Sequence, residues 1–451
     1  MIWRWRAPDF DITATEETTF SRHLVNRCTP IVIDGVMYVI SPLNVVAALD
    51  AATGEELWTF DSQAWKHEQG YNISRGLTYW GSGTQGRVIF STLSDFLFSV
   101  DAATGLPDSS FGVNGRVDLG LGLSRPVEDR SWYGFSSPPL VCNDVIVVGS
   151  FVPDYHYGPP PEYMIPGDVR GYDVHTGELL WTFHTPPQEG EEGVETWEDE
   201  SWKRFGGGNA WSMLSADEEL GYVYLPMSAP SHDLYGGERP GDNLYSNSIV
   251  CLDARTGKRV WHFQIVHHGL WNYDLPAAPI LLDITVDGEL IKAVAQLTKQ
   301  AFCFVFDRAT GEPVWPIIEQ PVPESTVPGE RPSPTQPMPS KPAPYDRQGF
   351  TVDNLIDFTP ELRQQAIEII EQFDHGPSIR PPRSAAPRCC LDLSVARTGS
   401  GVRCIRTVDG STSLRSHSRG VRRLARSTMP TRTAPTRLSD KDGFMVRKDC
   451  R

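Results

Sequence analysis

The stretches AALDAATGEELWTF (47–60), GYDVHTGELLWTF (171–183), CLDARTGKRVWHF (251–263) and VFDRATGEPVW (305–315) are variations on one pattern. A fifth, shorter copy, SVDAATGLP, lies at 99–107. Every copy holds Asp-x-x-Thr-Gly, starting at Asp50, Asp101, Asp173, Asp253 and Asp307. In four of them a tryptophan stands eight residues after the aspartate: Trp58, Trp181, Trp261 and Trp315. The residues before each aspartate run apolar and β-branched, as strands do. The aspartate caps a turn with its side chain, and the glycine supplies the positive φ that the turn needs. The segment ending in tryptophan is then the return strand. Each indole can bury on the order of 200 Å². The aspartates are separated by 51, 72, 80 and 54 residues. Those intervals suit a radial array of four-stranded antiparallel sheets with insertions between them, an all-β propeller. Unrelated hairpins that merely share turn chemistry would not also share a tryptophan at a fixed offset.

The rest of the composition agrees. The 451 residues are 39% hydrophobic and include 39 Gly, 37 Pro and 13 Trp, a turn-rich globular make-up. No apolar run approaches the roughly 18 residues of a membrane helix. The opening MIWRWRAPDF lacks the basic-then-apolar layout of a signal peptide. Net charge is −16, unevenly spread. Residues 379–451 hold 17 Lys and Arg against 5 Asp and Glu, and the remainder holds 24 against 52. An acidic body of that kind disfavours nucleic acid as a partner. The eight cysteines form neither a metal-site spacing nor a disulfide framework.

These hairpins resemble the tryptophan-docking repeats of eight-bladed quinoprotein dehydrogenase propellers. The likeness extends from residue 1 to about 377. It includes VHHGLWNYDLPAAP (266–279), TKQAFCFVFDRATGEPVWP (298–316), SPTQPMPSKPAPYDRQG (333–349) and DFTPELR (357–363). These stretches are most similar to the membrane-type glucose dehydrogenase branch. The resemblance implies pyrroloquinoline quinone (PQQ) with Ca²⁺ or Mg²⁺, a sugar or alcohol substrate, ubiquinone or a cytochrome as electron acceptor, and a periplasmic location. About five blades are expected in residues 1–378. Outer-membrane assembly proteins use similar repeats without a cofactor, so a non-catalytic scaffold is the alternative.

PQQ is a flat tricarboxylate with an electrophilic carbonyl, so a protein that holds it needs cations, an aromatic plate, a hard metal ion and a base. The resemblance places Arg75, in NISRGLTYW, on a cofactor carboxylate. Trp211, in GGGNAWSM, becomes the floor under the quinone, and Lys299 lies near its carbonyls. Ser136 and Ser137 offer hydroxyls, and Asp154, in GSFVPD, is the acidic metal ligand. The family base is an aspartate directly after Trp271, which here is Asn272, also expected at the metal. An amide cannot accept a proton at neutral pH. Asp274, on the same face of a strand two residues on, is the candidate replacement. The family also has a metal-binding asparagine where Ala229 stands, a loss for which Ser228, Ser231 or Asp233 could compensate. Both departures lower the expected activity.

Other features are expected to carry no chemistry. GSGTQG (81–86) fits a dinucleotide fingerprint but precedes a strand rather than a helix. His267 and His268 would alternate faces on a strand. Asn72 begins a glycosylation sequon, and Cys389–Cys390 lies far from where methanol dehydrogenases keep an adjacent pair. Residues 317–349 read as a proline-rich loop lying over the propeller. Residues 359–373 read as a short helix with Thr359 as N-cap and Pro360 at N1. Residues 379–451 form a basic tail without periodicity. The genetic code permits codons for Ser378-Ile379-Arg380-Pro381 that, read one base earlier, give the Ile-Tyr-Thr-Pro of the family resembled, so the tail is expected to be out of frame, a genuine disordered tail being the alternative. WRWRAPD at the start resembles a strand inside a first blade. An open array of this kind is expected to expose edges, aggregate and show little activity.

Overall fold

A computed structural model of the chain describes residues 3–9, 24–66, 72–81, 86–92, 94–127, 129–130, 133–154, 162–371, 379, 404–406 and 412–414. Five antiparallel sheets follow one another along it, each a meander whose strands pair in chain order. The first blade is Ile31–Ile33, Val36–Ile40, Val45–Asp50 and Glu56–Asp61. The second is Thr78–Trp80, Arg87–Ser91, Phe96–Asp101 and Arg116–Asp118. The third is Leu140–Cys142, Val145–Val148, Val169–Asp173 and Leu179–Phe183. The fourth is Ser215–Asp217, Tyr222–Pro226, Ser248–Asp253 and Arg259–Gln264. The fifth has three strands, Ile280–Val286, Glu289–Leu297 and Cys303–Asp307, with Pro313 bridged to Phe306.

The repeated turn works as its residue types require. Asp50 Oδ1 accepts from Ala52 N (3.0 Å), Thr53 N (2.7 Å) and Thr53 Oγ1 (2.9 Å). The Thr53 N–H holds the Asp50 carboxyl below its ordinary range. Gly54 takes φ +77°. The return strand then slips register, so that Ala48 faces Trp58, Gly171 faces Trp181 and Cys251 faces Trp261. The extra residue of each bulge, Leu57, Leu180 or Val260, is turned to solvent, which is why an apolar side chain is exposed there.

Each indole locks onto the next repeat. Nε1 of Trp58 donates to Ala102 O (3.0 Å), Trp181 to Ala254 O (2.9 Å) and Trp261 to Arg308 O (3.1 Å). The rings lie against Gly105, Gly257 and Gly311, where an added Cβ would come within 2.5, 2.4 and 2.6 Å of the indole. The repeat glycine is therefore needed twice, once for its φ and once for the ring. Trp3 docks in the same way on Gly54, donating to Ala51 O at 3.2 Å. At the seam between the second and third blades the short copy has no tryptophan. There Arg87 Nη1 donates to Val174 O (3.1 Å) and Nε pairs with Asp108 (2.9 Å), while the guanidinium lies 5.5 Å from the Trp80 centroid.

The hydrophobic cores lie between blades. Ile40, Val46, Val88 and Phe90 fill the first seam, and Ile146 and Tyr172 meet Ile89 and Leu97 in the second. Val147, Val169, Val223 and Leu225 fill the third, and Tyr224, Cys251, Val294 and Phe304 the fourth. Ile379 packs into that fourth core, so the residue assigned to the start of the basic tail is buried. The expected proline-rich loop carries a two-stranded ribbon, Ile317–Pro321 with Thr335–Pro339. The helix runs Pro360–Ile370, capped by Thr359 Oγ1 accepting from Leu362 N at 3.2 Å. The rest of the tail, Cys389–Cys390 included, lies outside the described residues, except for a short hairpin of Cys404–Arg406 and Thr412–Leu414. Residues 82–85 of the glycine motif also lie outside them.

Two measurements check this packing. Gly257→Ala forces a Cβ into the Trp181 ring at φ +68° and is expected to cost about 3 kcal/mol by urea unfolding. Asp95, in the turn between the second and third strands of the second blade, is 1% exposed, and among the described residues neither carboxyl oxygen has a hydrogen-bond partner. Burial pushes its pKa from 3.8 up to about 8. The folded protein then holds a proton that the unfolded chain has lost, so stability falls as pH rises from about 4 to about 8. Asp95→Asn is expected to flatten that slope in thermal melts recorded across the same range.

Candidate functional site

In an antiparallel meander, alternate connections lie at opposite ends of the sheet. The Asp-x-x-Thr-Gly turns join third to fourth strands at one end. The turns joining second to third strands, and the connectors from one blade to the next, therefore share the other end. Arg75, Ser136, Ser137, Trp211, Asn272 and Asp274 sit on connectors, and Asp154, Ala229 and Lys299 on second-to-third turns. Topology alone brings these nine candidate residues to one end of the blades.

Two clusters form there. In the first, Arg75 Nη1 donates to Ser136 Oγ, and Arg75 N to Ser136 O at 3.0 Å. The Arg75 guanidinium lies 5.0 Å from the Trp211 centroid, a cation–π distance. Ser137 Oγ donates to Trp211 O at 2.6 Å. Burial, and then the charge of Arg27, lowers the Arg75 pKa to about 10, so it stays cationic at neutral pH. Among the described residues no carboxylate forms an ion pair with Arg75.

In the second cluster, Lys299 Nζ donates to Asn272 O (2.9 Å), Asn272 Oδ1 (2.8 Å) and Asp274 Oδ2 (2.9 Å). Lys299 is 7% exposed and Asp274 8%. The other carboxylate oxygen of Asp274 accepts from Ala229 N at 2.7 Å. The three ammonium protons thus meet three acceptors. The expected strand through 272–274 is not there. Asn272 takes φ +56°, and this left-handed bend, rather than a shared strand face, lets both side chains meet Lys299. His267 and His268 likewise lie in a turn and not on a strand.

The glycine-rich segment before Trp211 links the clusters. Gly208 N donates to Ala229 O (2.9 Å), and Ser228 Oγ to Asn209 Oδ1 (2.6 Å). Asn209 Nδ2 in turn donates to Ser150 O at 2.7 Å. Sequence reading passes over Asn209, although the run GGGN signals close backbone approach, and offers Ser228 as a substitute for the asparagine lost at Ala229, whereas its hydroxyl is bonded to Asn209. Asp154 is exposed, and residues 155–161 beside it lie outside the described residues. Among the described residues no three His, Cys, Asp or Glu side chains gather as for a metal.

The blades thus place a half-buried cation on an indole at their connector end. The chain belongs to the family described as "PQQ: Glucose/ethanol/alcohol dehydrogenase, beta-propeller domain", whose profile matches residues 1–393. It is 34% identical over 337 residues to quinoprotein glucose dehydrogenase A of Acinetobacter calcoaceticus, covering 68% of this chain and 40% of that protein. It is 33% identical over 358 residues to the quinate/shikimate dehydrogenase (quinone) of Acinetobacter baylyi, covering 73% and 42%. Among solved structures it is similar to a quinohemoprotein alcohol dehydrogenase of Pseudomonas putida HK5, with TM-score 0.55 and 31% identity, covering 66% and 43%. The chain thus spans about 40% of the length of the curated relatives it matches.

Removing one partner of the buried pair tests its strength. Lys299→Met leaves the Asp274 carboxylate with one N–H donor and is expected to cost about 3–5 kcal/mol in chemical unfolding. Adding Asp274→Asn is expected to return part of that loss.

Proposed function

We propose that the chain is the cofactor-bearing part of a PQQ-dependent dehydrogenase that oxidises the hydroxyl of a glucose-like sugar or an alcohol. The observation that carries this reading is Arg75, a half-buried cation without a carboxylate partner among the described residues, laid on the Trp211 ring. A site built in that way fits a flat, anionic ligand. Arg75, Ser136 and Ser137 would hold carboxylates, and Trp211 would supply the plate. When bound, PQQ supplies an electrophilic carbonyl that takes up hydride.

Lys299 would fix polar atoms at the other end of the plate. Asp274 is the carboxylate available to take the hydroxyl proton, since Asn272 cannot. Its two oxygens accept from Lys299 Nζ and Ala229 N, which fixes where the carboxylate lies. A hard cation, Ca²⁺ or Mg²⁺, would be served by Asp154 and Asn272. The residues present do not by themselves assemble a metal site: Asp154 is exposed, and Asn272 Oδ1 already accepts from Lys299. By the same family reading, electrons would leave to ubiquinone or a cytochrome in the periplasm. No helix among the described residues is long and apolar enough to cross a membrane.

A second reading, a non-catalytic propeller scaffold, is favoured by Asn272 and by the full set of acceptors around Lys299.

Reconstitution separates the two. The full chain is incubated with PQQ and Ca²⁺, passed through gel filtration, and assayed for dye reduction with glucose and with ethanol. Retained quinone absorbance that disappears in Arg75→Gln is the expected result, with slow turnover raised by Asn272→Asp. Retention without turnover limits the chain to binding. A folded chain that retains no quinone overturns the proposal in favour of the scaffold.

A further inference from the structure

The loop from 227 to 247, between the second and third strands of the fourth blade, carries a completely buried cation. Arg239 is 0% exposed. Its Nε and Nη2 donate to His232 O at 3.1 and 2.7 Å, Nη2 also to Gly269 O at 2.6 Å, and Nη1 to Asn243 Oδ1 at 2.7 Å. These acceptors are carbonyl and amide oxygens, and the charges of Asp233 and Glu330 act on the guanidinium from nearby. Burial pulls its pKa to about 9, which leaves it cationic at neutral pH. A desolvated charge of this kind is costly, so its bonds must hold something in place.

What they hold is the next connector. Gly269 lies three residues before Asn272 and five before Asp274. Around it the loop and connector are joined by His268 N to Asp242 O (3.2 Å), Asn272 N to Asp233 O (3.3 Å) and Asn247 Nδ2 to Tyr273 O (2.9 Å). The planar fork of Arg239 reaches both segments at once in a fixed geometry, which the rotatable point charge of a lysine does not impose.

We infer that Arg239 is the positioning residue of the Lys299–Asn272–Asp274 cluster. By fixing Gly269 O to His232 O it sets the left-handed bend at Asn272, and with it the two oxygens that face Lys299 Nζ. The inference rests on that cluster being the chemical end of the proposed site.

The test needs neither cofactor nor substrate, so its failure and a failure of reconstitution are distinct. The full chain is treated briefly with acetic anhydride at neutral pH, and acylation of each lysine is read by peptide mass. In the unaltered protein Lys299 is expected to be protected, whereas the exposed Lys258 and Lys292 react. Arg239→Lys keeps the charge and loses the fork. Lys299 acylation should then rise about tenfold relative to Lys292, as a local opening would produce. Cys251, buried in the fourth-blade core, reports whether the whole blade has opened, and its thiol should stay unreactive. Arg239→Met, which removes the buried charge, serves if the lysine variant does not fold. Continued protection of Lys299 in a folded variant overturns the inference. So does a joint rise in Lys299 and Cys251 reactivity, which would make Arg239 a general structural residue.

Discussion

The architecture depends on one contact, an indole laid on a glycine of the neighbouring blade. At three of the four seams a tryptophan near the start of the return strand donates to the carbonyl after the next aspartate and covers the glycine that closes its turn. The contact needs three things together: a turn with positive φ, no Cβ under the ring, and a bulge that aims the indole sideways. Since neighbouring sheets share these contacts, blade order follows chain order. The apolar residues of facing strands then fill the seams.

That arrangement sorts chemistry from structure. The locking turns occupy one end of every blade, and the connectors and second-to-third turns occupy the other. The connector end can vary without loosening the seams. It holds two cations of different character. Arg75 is half-buried without a carboxylate partner among the described residues, whereas Lys299 is buried with three acceptors from its own chain. In the proposed function only the first is left for an anionic ligand. Arg239 extends the same logic one layer out, holding backbone rather than ligand.

Much of this was legible in the sequence because a fixed offset of eight residues from aspartate to tryptophan has few physical causes. The four-stranded sheets, the capped turns and the grouping of Arg75 with Trp211 and of Lys299 with Asp274 could be read from repeats and resemblance. Other features could not. Trp3 docks like the repeat tryptophans, yet its own segment has no Asp-x-x-Thr-Gly to announce it. Arg87 takes the role of a missing indole from a different strand, and no offset rule leads there. The bend at Asn272 replaces the expected strand, since a left-handed asparagine leaves no mark in an apolar pattern. Arg239 makes its bonds chiefly to backbone oxygens, which sequence does not display.

Indole hydrogen exchange tests the central contact most directly. With ¹⁵N-labelled tryptophan in the intact chain, the Nε1–H groups of Trp58, Trp181 and Trp261 should exchange far more slowly than those of Trp5 and Trp65, whose bonds are solvent-exposed. Equal, rapid exchange at all five would mean that the indoles do not lock the blades, and would contradict the account.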